Sequence, residues 1–266
     1  MPGRNRVEDA TIGGRRGDVN DLTPSVPGAI IRPVPTRTSP RERGPAMPTL
    51  AVLFDFDGVI ADTENVHIAA WERTFGLMGW GIPPEDCARA AEMDDRAFLS
   101  AIFAAKGVEG GDVEGWVARK QETTLAMLSD CPRVYPGVRE LVHSLAGIAR
   151  LGVVSTTWRA NIEAVLRALG MSEAFAVLVG KEDVKVPKPD PQGYRLALKT
   201  LKVKPGDAVA LEDSATGLAA ARAAGIRALA IGHRAPEGVW SEGVPYVPGF
   251  GDRGRLAELL RLPQGG

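Results

Sequence analysis

The sequence is poor in cysteine and in aromatic residues, and it has no excess of charge of either sign. Its two cysteines, Cys87 and Cys131, are too few for a disulfide framework, so we expect a reducing, cytoplasmic location. Aromatic residues make up 6% of the chain, which argues against a surface that stacks nucleic-acid bases. The formal net charge of −1 argues against nucleic acid or a membrane surface as a partner bound by bulk electrostatics.

Long apolar runs are missing as well. No run approaches the roughly 20 residues of a membrane-spanning helix, and the first residues lack the apolar stretch of a signal peptide. The histidines (His67, His143 and His233) and the cysteines do not have the spacing of zinc ligands. The chain has 266 residues, of which 44% are apolar, enough for one large globular domain or two smaller ones.

Residues 1–46 differ in composition from the rest of the chain. Arg, Gly, Pro, Asp and Thr dominate this segment, and no apolar period persists in it. We therefore expect a disordered tail. Met47 stands just before the first apolar run and is an alternative start of translation, in which case the tail would be an artefact.

Short apolar runs alternate with helical patterns over most of the remaining chain. Segments 161–169 and 214–224 have helical periodicity, and each is followed by a glycine that favours a helix stop. Alternation of strand and helix predicts an α/β fold, a Rossmann-like parallel sheet with helices on both faces. Four of the five apolar runs lack polar alternation, as expected for strands buried on both faces. The five runs are 50–54, 151–154, 176–179, 208–211 and 226–231.

Only helical patterns occur between the first and second of these strands. Residues 63–132 are therefore predicted to form an α-helical cap domain, inserted into a core of residues 47–62 and 133–266. Such an arrangement places a cleft between cap and core, with hinges expected at 62–64 and 135–137. The predicted cap helices are 64–77, a short one that begins at 83–84, 95–106 and 113–128.

Two predicted strands end in pairs of acidic residues. Asp55 and Asp57 follow the first strand, and Glu212 and Asp213 follow the fourth. Ligands of open parallel sheets bind at the carboxyl ends of the strands, and four carboxylates brought together there would repel one another unless a cation joined them. Hard oxygen ligands favour Mg2+. Taken singly, an aspartate could equally cap a turn or a helix, as Asp213 could before Ser214.

Candidate phosphate ligands are predicted at the same edge of the sheet. Ser155 and Thr156 follow the second strand and precede a helix, where hydroxyls and free backbone amides suit an anion. An ordinary helix cap is the alternative. Lys188 lies between two prolines in the loop after the third strand. The prolines stiffen that loop and would help to aim a positive charge at a phosphate, whereas a solvated loop lysine is the alternative.

Together these residues resemble the haloacid dehalogenase superfamily of phosphotransferases. The first motif of that family, Asp-x-Asp-Gly, matches Asp-Phe-Asp-Gly at 55–58. The second and third motifs, a hydroxyl residue after a strand and a lysine, match Ser155 and Lys188. The fourth, an acidic pair, matches Glu-Asp at 212–213. The resemblance covers residues 50–231, most of the chain outside the tail.

The position of the helical insert, directly after the first motif, is similar to the branch of this family with a small helical cap. That branch includes phosphoglycolate phosphatases, sugar-phosphate phosphatases and β-phosphoglucomutase. Segments 60–64 and 134–138 also resemble it. The resemblance implies an enzyme that acts on a small phosphorylated metabolite, and it leaves the oligomeric state open.

The resemblance also implies a role for each motif residue. Asp55 would be the nucleophile and form an aspartyl-phosphate. Asp57 would act first as general acid and then as general base. Mg2+ would be held by Asp55, the backbone carbonyl of Asp57 and Asp213, with Glu212 close by.

The remaining motif residues would act on the phosphate. Ser155 and Lys188 would hold its oxygens and offset charge during transfer. Asp57 argues against a dehalogenase, since members of the family that cleave carbon–halogen bonds lack an acid there and need no metal. A non-catalytic binding protein of this fold would be expected to lose Asp55 or Asp57, and both are present.

The acceptor of the phosphoryl group is the main open alternative, namely water in a phosphatase or a sugar hydroxyl in β-phosphoglucomutase. The cap loop 92–96 is acidic where the mutase has a Gly followed by a basic residue, and 158–159 reads Trp-Arg where a small polar pair is common. These departures favour a phosphatase that acts on a phosphorylated sugar or a small organic acid. The residues predicted to contact the substrate are Gly58, Thr63, His67, Lys120, Thr156 and Arg159, the last through a carboxylate or a second phosphate.

Overall fold

The computed structural model describes residues 30–31, 50–91, 93–233 and 243–260. Most of the predicted tail, Met47 and one residue of the acidic cap loop lie outside the described residues. Within this part of the chain, no helix is both long enough and apolar enough to cross a membrane.

A seven-stranded sheet forms the core of the protein. Its strands are β1 (Ile30–Ile31), β2 (Ala51–Phe54), β3 (Arg150–Val154), β4 (Phe175–Val179), β5 (Ala208–Glu212), β6 (Arg227–Ile231) and β7 (Tyr246–Val247). They are arranged in the order β1-β4-β3-β2-β5-β6-β7. The six strands from β2 to β7 are parallel, and the five predicted strands are among them. Because β2 lies between β3 and β5, the carboxyl ends of these three strands meet at one edge.

The first strand lies within the segment that was predicted to be a disordered tail. Ile30–Ile31 pairs antiparallel with β4, opposite Val177 and Leu178. These two residues therefore have regular backbone structure, because the free edge of β4 offers unpaired backbone groups to any adjacent extended segment.

Helices of the described residues lie in two groups, the cap and the sheet domain. The cap contains α1 (Glu64–Leu77), α2 (Pro84–Ala88), α3 (Asp95–Ala105) and α4 (Val113–Asp130). The predicted start of every cap helix and the predicted ends of α1, α3 and α4 agree with these bounds to within two residues. The sheet domain contains α5 (Val138–Leu145), α6 (Arg159–Ala168), α7 (Gln192–Leu201), α8 (Ala215–Ala223) and α9 (Arg253–Leu260). Helices α5, α7 and α9 and strand β7 are additional to the predicted elements.

Both faces of the sheet are covered, which explains why its strands read as continuous apolar runs. On one face Val52 and Phe54 pack with residues of α5, α6 and α9. On the other face Ala51 and Leu53 pack with residues of α7 and α8. Successive side chains of a strand point to opposite faces, so every residue of β2 is buried. The predicted α/β fold with helices on both faces is confirmed.

The cap helices share a separate cluster of buried aromatic residues. The ring of Trp71 stacks on Phe75 at 5.2 Å between centroids and meets Phe98 edge-on at 5.1 Å. Phe103 belongs to the same cluster. Because this apolar cluster is separate from the two that cover the sheet, we propose that residues 63–132 form the cap domain and that 47–62 and 133–266 form the core.

Candidate active site

The ends of β2, β3 and β5 bring the motif residues together. Asp55 directly follows β2, and its backbone amide continues the ladder by donating to the carbonyl of Leu211 in β5 at 2.9 Å. Ser155 follows β3 in the same way, with its amide donating to Val179 of β4 at 3.0 Å. The sheet thus fixes the backbone of both residues at its carboxyl edge.

Lys188 joins two of the carboxylates at this edge. Its Nζ atom lies 2.9 Å from Asp55 Oδ1 and 2.7 Å from Glu212 Oε1, and the side chain is 8% exposed. Burial by itself would lower the pKa of Lys188, but Asp55 and Glu212 raise it well above its usual range. The lysine is therefore a fixed positive charge directly beside the predicted nucleophile, rather than a solvated loop residue.

Glu212 is fully buried beneath the site. Its Oε1 atom accepts hydrogen bonds from Lys188 and from the hydroxyl of Tyr194. Its Oε2 atom is buried without a hydrogen-bond partner among the described residues, and burial followed by the charge of Asp55 raises the pKa of Glu212 well above its usual range. An unsatisfied buried carboxylate oxygen is costly, and either a proton or a cation at this position would offset that cost.

The three acidic residues Asp55, Glu212 and Asp213 offer oxygen atoms within 4.8 Å of one another. Burial, followed by the charge of Asp55, raises the pKa of Asp213 to about 7. Gly58 makes room for Asp213, because a Cβ atom on Gly58 would stand 1.6 Å from Asp213 Oδ2. A compact set of hard oxygen donors with one unsatisfied member fits a divalent cation such as Mg2+.

Asp57 is held by two hydroxyl groups. Thr63 Oγ1 donates to its Oδ1 atom, and Ser155 Oγ lies 3.3 Å from its Oδ2 atom. Burial raises the pKa of Asp57 to about 6, a range suited to a group that must both give and take a proton near neutral pH. Thr63, which was predicted to contact the substrate, is 2% exposed and bonded to Asp57.

The loop after β3 contributes two hydroxyl residues with different surroundings. Ser155 is buried, and its Oγ atom accepts the backbone amide of Thr157 at 3.0 Å. Thr156 is exposed and lines a cavity with Ser155 and Lys188. Thr156 therefore remains a candidate for contact with the substrate.

The cap helices contain a buried cluster of three ionisable residues, Lys120, His67 and Asp95. Lys120 is 2% exposed, and its Nζ atom lies 3.1 Å from His67 Nδ1 and 3.0 Å from both carboxylate oxygens of Asp95. Burial followed by the charge of Lys120 lowers the pKa of His67 to about 4, so the imidazole is neutral at pH 7. Burial lowers the pKa of Lys120 below its usual value, although the charge of Asp95 partly opposes this shift.

Arg159, which was predicted to contact the substrate, makes ionic and hydrogen-bond contacts within the core domain. Its Nη2 atom lies 3.2 Å from Asp183 Oδ1, and its backbone amide donates to Glu182 at 3.1 Å. The side chain is buried and its charge is offset by these two carboxylates. It therefore ties the start of α6 to the turn after β4, because the packing directs the guanidinium into the core.

Two residues of the site were not found from the sequence. Tyr194 is fully buried and donates to Glu212, and Asp95 neutralises Lys120. The apolar spacing of Tyr194, Ala197, Leu198 and Leu201 along α7 is a helical pattern that could have identified the helix. It does not reveal that the tyrosine hydroxyl reaches Glu212.

Comparison with known proteins identifies the family. Residues 49–225 match the model of the haloacid dehalogenase-like hydrolases, and the chain belongs to this family. It is 36% identical over 197 residues to Protein CbbY of Cereibacter sphaeroides, covering 67% of this chain and 82% of that protein. It is 32% identical over 177 residues to the phosphorylated carbohydrates phosphatase of Thermotoga maritima, covering 66% of this chain and 82% of that protein.

Similarity to solved structures extends to the cap. The crystal structure of a CbbY variant from Rhodobacter sphaeroides, in complex with xylulose-(1,5)bisphosphate, is similar with a TM-score of 0.66 at 31% identity. The match covers 77% of this chain and 96% of that one. The described fold is thus that of a hydrolase family whose members similar to this chain include phosphatases of phosphorylated carbohydrates.

Proposed function

We propose that this protein is a Mg2+-dependent phosphatase that hydrolyses a small phosphorylated sugar or organic acid through an aspartyl-phosphate on Asp55. The observation that carries the proposal is the position of Lys188, whose ammonium group contacts both Asp55 and Glu212. Asp57, two residues after Asp55 at the same edge of the sheet, has a pKa raised to about 6. A nucleophile, a fixed cation and a proton donor thus meet at one sheet edge. The similarity to a phosphatase of phosphorylated carbohydrates supports the substrate class.

The first step forms the covalent intermediate. A carboxylate oxygen of Asp55 attacks phosphorus while the bond from phosphorus to the ester oxygen breaks. Asp57 gives its proton to that oxygen, so that the alcohol leaves neutral. Lys188 and Ser155 would hold the oxygens of the phosphoryl group and offset its charge during transfer.

The second step releases phosphate. Asp57, now a carboxylate, removes a proton from water, and the oxygen of that water attacks the phosphorus of the aspartyl-phosphate. The bond between phosphorus and Asp55 breaks, which returns the carboxylate and yields inorganic phosphate. The raised pKa of Asp57 allows the same group to serve in both steps.

Asp55, Asp213 and the backbone carbonyl of Asp57 would hold Mg2+, with Glu212 next to them. When bound, the cation offsets the negative charge shared by the carboxylates and the phosphate. The unsatisfied Oε2 atom of Glu212 and the space left by Gly58 fit this assignment.

Replacing Gly58 by alanine is expected to weaken Mg2+ binding at least about tenfold, because the new Cβ atom would displace Asp213. Gly58 also has a φ of +84°, where an L-residue is strained. Isothermal titration with Mg2+ measures the affinity directly. Gly79→Ala is the matched control, since Gly79 has a φ of +75° and no atom within 4 Å of the added Cβ. Equal Mg2+ affinity in the two variants would contradict the assignment of Asp213.

The function is tested by release of phosphate from a panel of sugar phosphates, phosphoglycolate and xylulose-1,5-bisphosphate. We expect turnover of at least one ester with Mg2+ and a loss of at least about 100-fold when EDTA removes the metal. Absence of phosphate release from every ester would refute the proposal. Interconversion of β-glucose 1-phosphate and glucose 6-phosphate, primed by the bisphosphate, would identify the mutase instead, with His67 and Lys120 as its cap contacts.

A further inference from the structure

A chain of hydrogen bonds runs from the cap to the catalytic serine. Gln121 of α4 donates from Nε2 to Asn161 Oδ1 at 2.7 Å. Asn161, in the first turn of α6, donates from Nδ2 to Thr157 Oγ1 at 3.1 Å. The amide of Thr157 donates to Ser155 Oγ at 3.0 Å, and Ser155 Oγ lies 3.3 Å from Asp57.

We propose that Gln121 and Asn161 are a positioning pair that couples closure of the cap to the placement of Ser155. The inference rests on the proposed phosphatase activity, in which Ser155 holds a phosphate oxygen. Neither amide touches the reacting atoms. Both act through Thr157, whose side-chain hydroxyl accepts from Asn161 and whose backbone amide donates to the serine hydroxyl.

The amide of Asn161 bridges the two domains, with its oxygen towards the cap and its nitrogen towards the core. The Nε2 group of Gln121 is a donor, so it must face the oxygen of Asn161, and the Nδ2 group of Asn161 must then face Thr157. Asn161 is completely buried, and a buried amide oxygen that loses its donor is costly. Docked Gln121 therefore supplies the donor for the buried Oδ1 atom of Asn161.

The amide of Gln121 has only part of its hydrogen-bonding capacity satisfied. Its Oε1 atom is buried without a hydrogen-bond partner in the described part of the chain. A half-satisfied buried amide stabilises a fold less than an apolar side chain of the same shape. The hydrogen bond that Gln121 does make crosses the interface to Asn161.

A second link from the cap ends at the same loop. The ammonium group of Lys181 pairs with Asp94, the cap residue that precedes α3, and lies 5.5 Å from the ring centroid of Trp158. The backbone amide of Lys181 donates to the carbonyl of Thr157 at 2.8 Å. Thr157 thus accepts hydrogen bonds from Asn161 and Lys181, both of which contact the cap. Its own backbone amide donates to Ser155.

The test is a double-mutant cycle with Gln121→Met, which keeps the shape of the side chain and removes the donor, and Asn161→Ala. Each variant is expected to lower kcat between about 3-fold and 30-fold with KM changed less than about twofold. The double variant should lose no more kcat than the single variant with the larger loss, because both substitutions break one chain. Glu122→Gln, at a side chain of α4 that is 74% exposed, is the matched control and should leave kcat unchanged.

A second measurement does not depend on turnover. With Mg2+ and inorganic phosphate present, amide hydrogen exchange of segment 155–161 should be faster in Gln121→Met than in wild type or Glu122→Gln. This comparison stands even if the wild-type enzyme hydrolyses none of the esters tested, an outcome that would refute the phosphatase proposal alone. Losses in kcat that multiply in the double variant, or exchange in Gln121→Met equal to that in Glu122→Gln, would overturn the positioning role.

Discussion

Replacement of Asp55 by asparagine is expected to lower kcat at least about 1000-fold. The amide of asparagine is a far poorer nucleophile than a carboxylate, so the covalent intermediate cannot form. The substitution keeps the shape of the side chain, and Lys188 keeps its contact with Glu212. We therefore expect a folded protein that binds phosphate esters without turning them over.

Phosphate release and mass spectrometry of acid-quenched enzyme together measure this effect. Wild type should show a phosphoryl adduct on the peptide that contains Asp55, and the variant should show none. Asp130→Asn makes the same chemical change at an exposed carboxylate and should retain wild-type activity. Full turnover in Asp55→Asn would exclude the proposed mechanism at its central step.

Replacement of Asp57 by asparagine is expected to lower kcat for sugar phosphates between about 100-fold and 10,000-fold. Asparagine cannot donate a proton to the departing alkoxide or remove one from water. Its side-chain oxygen can still accept from Thr63, whose hydroxyl now bonds Asp57. The loss therefore reports the proton transfer rather than the fold of the hinge.

The leaving group provides an internal control for this variant. An aryl ester such as p-nitrophenyl phosphate departs readily without protonation, so its first step should be much less affected than that of a sugar phosphate. Trapped aspartyl-phosphate should accumulate with the aryl ester, because the second step still lacks its base. Equal losses for aryl and sugar esters, without accumulation of the adduct, would count against Asp57 as the acid and base.

Much of the fold could be predicted because its signals are local. The apolar runs of β2 to β6 are continuous because both faces of the sheet are covered, and helix α1 was predicted with its observed bounds of Glu64–Leu77. Helix α7 was missed, since the loop of prolines before it obscured the apolar spacing of its buried face. Strand β1 was missed because two residues carry no periodicity, and their pairing depends on the free edge of β4.

The positions of the motif residues followed from the sequence, whereas their partners did not. Asp55 and Ser155 directly follow apolar strands, so the rule for parallel sheets places them at one edge. That Arg159 turns to Asp183 and Thr63 to Asp57 could not be predicted, because side-chain direction is set by packing between segments that are distant in the chain. The same holds for the bond between Gln121 and Asn161.

By itself, the sequence determined the class of fold, the helical insert and the order of the four motifs, because each depends on local periodicity or on a residue directly after a strand. Only the tertiary structure decided that Lys188 bridges Asp55 and Glu212. It likewise decided that Asp95 neutralises Lys120 inside the cap. Charges separated by many residues along the chain interact strongly only once folding brings them close together and removes the water between them, so their pairing is a property of the packed molecule.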